Sequence, residues 1–210
     1  SQLRRMFTAP EGCVLVDADY SQIELRLLAH IAGDTEMQAA FRSGEDFHTV
    51  TASRVFHVEP QEVTPEMRRR AKAVNFGIVY GISAFSLAQD IGVSVAEAKA
   101  YMERYFETYQ GVRQYMTDVV AKAERDGYVQ TLMHRRRALP ELKSSNFNMR
   151  EFGKRVALNM PVQGTAADIM KLAMVRVHHR LKREGLRARL LMQVHDELIV
   201  ECPASEREQV

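Results

Sequence analysis

The sequence predicts an α+β fold in which strands lie at both ends of the chain and a long helical stretch separates them. Three observations point there. Short β-favouring apolar runs occur at Cys13–Val16, Leu190–Val194 and Leu198–Cys202. Between Asp34 and Asp126 the apolar residues recur at helical spacing and helix-start signals repeat. The first strand is therefore far from the last two in sequence, and helices fill the interval, as in α+β layering.

The elements follow in order. Cys13 to Val16 reads as a strand that ends at Asp17-Ala18-Asp19. Ser21 is placed to cap a helix through about Ala32, with Glu24 at the capping-box position and Gly33 as its stop. Ile23, Leu27, Leu28 and Ile31 form its apolar stripe. Several short helices precede one from Pro65 to Tyr80, opened by Thr64 as N-cap, Pro65 in its first position and Glu66 in its first turn. Ser94, with Glu97 three residues on, opens another helix. Gly111 is expected to interrupt the run before a further helix, which Gly127 ends. A small hairpin is expected from Tyr128–Leu132 and the stretch around Arg137–Leu139, ending at Pro140. Asn146 to Met160 reads as a helix stopped by Pro161, and a longer one should start near Thr165 and run to Gly185. The last two strands flank a turn, His195-Asp196-Glu197.

The 210 residues are 46% hydrophobic and 27% charged, enough for one cored domain or two small ones. No apolar run approaches the roughly 20 residues of a membrane span. The N-terminus has no apolar signal core and no initiating Met, so a cut start is expected. Cys13 and Cys202 read as free thiols of a reducing cytoplasm. Between positions 128 and 190 there are 14 Lys/Arg against 4 Asp/Glu, although the whole chain carries only +2. Such asymmetry fits a surface that faces polyanions, with acidic groups gathered elsewhere. It also fits a solvated helical surface.

Arg68, Lys72, Phe76 and Tyr80 recur at four-residue steps and share roughly one helix face. Cations can grip a polyphosphate and rings can stack on a base, which is the shape of a nucleoside triphosphate. A solvated basic face over a core Phe and Tyr matches the same spacing. Asp19, and the pair Asp196-Glu197, end strongly apolar runs. Carboxylates brought together at strand ends repel, and a divalent ion with oxygen ligands relieves the repulsion. A plain hairpin turn and a helix cap would account for each site separately. Asp17 stands two residues before Asp19, so a continuing strand puts both on one face and position does not choose between them.

Four blocks together carry a resemblance. Asp19-Tyr20-Ser21-Gln22-Ile23-Glu24-Leu25-Arg26 resembles motif A of the family A DNA polymerases, the bacterial DNA polymerase I family. Arg68 through Gly81 resembles motif B, and Gln193-Val194-His195-Asp196-Glu197-Leu198 resembles motif C. Met160-Pro161-Val162-Gln163-Gly164-Thr165-Ala166-Ala167-Asp168 matches a further family block. Order and spacing agree over essentially the whole chain, a far more specific signal than one short motif.

The resemblance implies an antiparallel palm sheet with packed helices at 1–32 and 146–210, and a mostly helical fingers insertion at 33–145, truncated at both ends. It implies template-directed DNA synthesis from dNTP on primer-template DNA with two Mg²⁺ ions, for which Mn²⁺ can substitute. The expected setting is a monomer in the bacterial cytoplasm or nucleoid, with no membrane partner. Asp19, the Tyr20 carbonyl and Asp196 would hold the metals, which selects Asp19 over Asp17, and Glu197 would assist. Arg68, Lys72 and His48 would hold the triphosphate, with Lys72 also catalytic. Phe76 would pack on the incoming sugar and base, Tyr80 would sit by the templating base, and Gln22 would help bind the dNTP. Glu24 would close the pocket under the sugar against a 2′-hydroxyl. Arg155, Asn159, Gln163, Gln193 and His195 would lie near the primer-template end. Phe rather than Tyr at position 76 implies discrimination against sugars lacking a 3′-hydroxyl. One departure stands out: the family usually has Gly before the Arg135-Arg136-Arg137 triplet, and here it is His134. The thumb and any exonuclease domain are absent from the stretch, so a palm-and-fingers fragment that folds and acts poorly alone is expected.

Overall fold

The structure, a computed structural model, describes residues 2–210, with side chains from Arg4 onward. The chain divides into two compact units, one made of residues 1–23 with 166–210 and one of 24–165.

The first unit is built on a three-stranded antiparallel sheet. Strand β1 (Cys13–Asp19) lies at one edge, and its partner β5 (Glu197–Pro203) is central. Strand β4 (Arg189–Val194) lies at the other edge. The order follows from the pattern of apolar residues. Val14 pairs with Cys202 and Val16 with Val200, so one face is apolar. That face packs on Val177 and Leu181 of the last part of a long helix, α8 (Phe147–Arg183), and on Leu186. The opposite face carries Asp17, Asp19 and Glu197, because Asp19 pairs directly with Glu197 and Asp17 stands two residues before it. Both strands run further than expected. Glu197 is the first residue of β5 rather than part of the turn, which shrinks to His195-Asp196. Cys13 and Cys202 are free thiols, as expected.

The second unit is helical. It contains α1 (Ile23–Ile31), α2 (Thr35–Arg42), α3 (Phe47–Phe56), α4 (Pro65–Val79), α5 (Ala84–Ile91), α6 (Val95–Thr108) and α7 (Gln110–Asp126). A hairpin of β2 (Tyr128–Gln130) and β3 (Arg136–Ala138) follows, and then the first part of α8 (Phe147–Arg183). The expected start signals operate. The Thr64 hydroxyl accepts from the Met67 N–H, and Ser94 and Glu97 form a capping box. Asp34 ties two helices together: its carboxylate accepts from Met37 N–H at the start of α2 and from Val112 N–H at the start of α7. Gly111 permits that approach, because a Cβ there would lie 2.9 Å from the Asp34 Cα. Phe47 of α3 stacks on Phe41 at 4.4 Å and lies 5.9 Å from the ring of Tyr109, which is itself fully buried.

Three local expectations are corrected. The helix after Ser21 starts at Ile23, because Gln22 takes a left-handed backbone (φ 56), and the Glu24 carboxylate accepts from the Tyr80 hydroxyl. The break between α6 and α7 falls at Tyr109, and Gly111 lies inside the first turn of α7. Most clearly, Pro161 does not end a helix: α8 runs through it. An interior proline costs about 3 kcal/mol. Here Ala157, Val156 and Met160 pack into a cluster with Val129, Leu139 and Leu142, and the Thr165 hydroxyl donates to the Pro161 carbonyl. Packing outweighs the local rule. Among the described residues no helix is long and apolar enough to cross a membrane.

Candidate active site

In the first unit, pairing of β1 with β5 brings carboxylates from opposite ends of the sequence together. Asp19 ends β1 opposite Glu197, and the Tyr20 N–H donates to the Asp196 carbonyl at 3.0 Å. Asp196 therefore sits beside Asp19. Desolvation holds the Asp19 carboxyl above its usual range, and the negative charges of Asp196 and Glu197 push it further, against a smaller pull from Arg4 and His195. Asp17 is raised as well, first by desolvation and then by its hydrogen bond with Glu197. Arg4 bonds both Glu197 and Asp17, and Glu197 is 4% exposed. The turn that presents Asp196 has His195 at φ 55, a left-handed conformation that costs a non-glycine residue about 1 kcal/mol or more. Its Nδ1 lies 3.1 Å from Asp196, and the Gln193 side-chain amide donates to the His195 carbonyl at 2.8 Å. Asp17 and Asp19 do share one face, as their spacing predicts, but Asp196 stands next to Asp19.

In the second unit, α4 presents the expected row. Arg68 and Lys72 are exposed, Phe76 is half-buried, and Tyr80 caps the helix C-terminus. Arg68 is gripped in a fork by Asp46, Nε to Oδ2 and Nη2 to Oδ1 both at 2.9 Å. Asp46 also caps α3 through Thr49. Desolvation pushes the Asp46 carboxyl up, but the bonds from Arg68 and Thr49 outweigh it and hold it at about 2. Lys72 has no hydrogen bond or ion pair among the described residues. His48 is 3% exposed, with its Nδ1 3.0 Å from the Asn75 amide nitrogen and its ring 5.7 Å from that of Phe76. Burial lowers its pKa and Arg68 and Lys72 lower it further, against Asp46. The Tyr80 hydroxyl donates to Glu24 at 2.7 Å, and Glu24 is 4% exposed.

The expected Arg155, Asn159 and Gln163 follow at four-residue steps on α8. Arg155 lines a cleft of about 630 Å³ with Phe76, Tyr80, Gly81 and Ser83. Asn159 and Gln163 line another, of about 420 Å³, with Arg137 and Phe152. His134 keeps the turn ahead of Arg135 in a left-handed conformation, φ 63.

The whole chain, residues 1–210, matches the model of DNA polymerase family A. The chain belongs to DNA polymerase family A. It is 55% identical to DNA polymerase I of Bacillus caldotenax and 54% identical to that of Geobacillus stearothermophilus, in each case over all 210 residues. It spans 24% of the length of each of these relatives. The POL domain of Pol1 from M. smegmatis, solved in complex with DNA primer-template and dNTP, superposes with a TM-score of 0.92 at 51% identity. That match covers 97% of this chain and 36% of the other.

A divalent ion fits the donors present. Asp19 and Asp196 supply hard oxygens, the Tyr20 carbonyl accepts, among the described residues, a long 3.3 Å bond from Ile23, and the Asp19 carboxyl, raised first by desolvation, also stands against like charge from Asp196 and Glu197 that a cation would relieve. Among the described residues no three His, Cys, Asp or Glu side chains close into a cage. An open site of this kind leaves positions for water and phosphate oxygens. Arg4, Asp46 and Asn75 of this chain are not singled out by its sequence motifs. Asp46 is detectable as an N-cap three residues before Thr49, Asn75 lies unassigned within motif B, and Arg4 has no sequence signal because its partner is 193 residues away.

Proposed function

We propose that the chain carries the catalytic centre of a template-directed DNA polymerase, which adds dNMP from dNTP to a primer 3′-hydroxyl and releases pyrophosphate. One observation carries the reading: Lys72 stands without an ion-pair partner on the same helix as Arg68 and Phe76 and close to the buried, neutral His48. Cations, a neutral donor and a ring suit a triphosphate with its sugar and base. Asp19, Asp196 and the Tyr20 carbonyl would hold two Mg²⁺ ions, replaceable by Mn²⁺, with Glu197 beside them. When bound, such ions favour the deprotonated primer hydroxyl and neutralise the phosphate in transfer. Phosphoryl transfer otherwise needs positioning and charge balance more than covalent chemistry. Arg68 keeps three of its five N–H donors beyond its fork to Asp46, and with Lys72 it offsets charge on the leaving pyrophosphate.

Gln22, Phe76 and Tyr80 would shape the dNTP pocket, and Glu24, held by Tyr80, would exclude a 2′-hydroxyl. Arg155, Asn159, Gln163, Gln193 and His195 would face the primer-template, where minor-groove acceptors are nearly common to all base pairs. In this reading residues 1–32 and 146–210 are palm and 33–145 are fingers. The enzyme works as a monomer in the bacterial cytoplasm. Primer extension by the complete gene product tests it. Asp196→Ala should lower kcat by several tenfold steps, since each costs about 1.4 kcal/mol of barrier. Wild-type rates in that variant would reject the metal assignment.

A further inference from the structure

Asn75 is fully buried, at 0% exposure, yet its side chain makes one hydrogen bond: Nδ2 to Nδ1 of His48, 3.0 Å away. Its Oδ1 is buried without a partner. A buried orphan oxygen is costly, and an apolar residue of the same size would avoid the cost. Position 75 lies in the middle of a well-packed helix, between Val74 and Phe76, where Leu or Val would suit the core. The amide therefore needs a reason, and among the described residues the group it serves is His48.

An amide N–H₂ can only donate, so Nδ1 of His48 is an acceptor and the ring proton sits on Nε2. Nε2 has no hydrogen bond among the described residues. The ring's surroundings keep it neutral: it is buried, Arg68 and Lys72 of α4 are the nearby cations, and Asp46 of α3 is engaged by Arg68. It also packs on Phe47 and Phe76. We propose that Asn75 is a positioning residue for His48, fixing its tautomer so that Nε2–H is presented as a neutral donor to the triphosphate of the incoming nucleotide. The proposal rests on the reading of His48 as a triphosphate ligand.

Single-nucleotide incorporation by the complete gene product tests both and separates them. The variants are Asn75→Leu, His48→Ala and their combination. A lost neutral hydrogen bond should raise KM for dNTP about tenfold in Asn75→Leu, with kcat changed much less. The double variant should be no worse than His48→Ala, because both changes remove one unit. Nitrogen-15 spectra of His48 should show Nδ1 unprotonated in the wild type and a mixture of tautomers in Asn75→Leu. Asn75→Asp, which keeps the volume, should reverse the tautomer and also raise KM, so a folding defect in the leucine variant does not decide the matter. A proton on Nδ1 in the wild type overturns the proposal, as does a double variant whose KM rises by the product of the single effects. A raised KM in His48→Ala with an unchanged one in both Asn75 variants overturns the proposal alone. An unchanged KM in His48→Ala overturns the triphosphate reading, and the proposal with it.

Discussion

Replacing Asp34 with alanine should unfold the helical unit far more easily than a surface substitution would. The carboxylate is 3% exposed and serves two helix N-termini at once: Oδ1 accepts from Met37 N–H at 2.8 Å and Oδ2 from Val112 N–H at 3.2 Å. Loss of an N-cap costs about 1 kcal/mol. Val112 is fully buried, so its N–H would be left in an apolar setting, at a further cost of about 1–3 kcal/mol. The total is about 2–4 kcal/mol. At an m-value near 2 kcal/mol/M this moves the urea midpoint down by about 1–2 M, read by far-ultraviolet circular dichroism. Asp34→Asn keeps one carbonyl oxygen and should fall between the two. A midpoint for Asp34→Ala within about 0.3 M of the wild type would show that the two caps are not the tie between α2 and α7, and would refute the reasoning.

Two further outcomes follow from the geometry. The Asp46 carboxyl is held at about 2, below its unfolded value of about 3.9, so its contribution to stability should be fully present above pH ~4 and be lost as pH falls toward 2. Asp46→Asn should therefore flatten the acid limb of an unfolding-versus-pH curve, and an unchanged limb would contradict the assignment. His134→Gly should stabilise the hairpin by about 0.5–1 kcal/mol, since the left-handed φ of 63 is strained for histidine and free for glycine. Thermal unfolding of the variant measures it, and destabilisation would show that the imidazole holds the turn by contacts that outweigh the strain.

The helical caps were legible because each is a local bargain between a side-chain oxygen and backbone N–H groups three residues on. Thr64, Ser94 with Glu97, and the Gly127 stop all act as their neighbours predict. The strands were legible in their apolar runs, but their ends were not, because pairing extends a strand wherever a partner offers its backbone. Glu197 joins β5 for that reason. Pro161 was misread because the rule that breaks helices at proline is local, while the packing of Ala157 and Met160 against the hairpin is not. The choice between Asp17 and Asp19 illustrates the same boundary. Periodicity puts both on one face, and only the register with β5 sets Asp196 beside Asp19 and leaves Asp17 to Arg4 and Glu197. Arg4 and Asn75 act on partners remote in sequence that no spacing encodes, whereas Asp46 shows its cap to Thr49 locally but not its fork to Arg68, 22 residues away.

The charged groups of the two units are treated in opposite ways, and the difference bears on function. In the first unit the carboxylates crowd: desolvation first, then the charges of Asp196 and Glu197, raise the proton affinity at Asp19, and Arg4 bonds Asp17 and Glu197. In the second unit the arginines at the start of α4 are matched. Arg68 has Asp46, while Arg69 and Arg70 share Glu66. Lys72 is the member of that run left unmatched. Had stability alone shaped these sites, a lysine opposite Asp19 and a glutamate four residues from Lys72 would each have offset charge at little cost. Like charge gathered where β1 ends, and an unpaired ammonium near a buried imidazole, each leave Coulombic attraction to be satisfied by something that arrives.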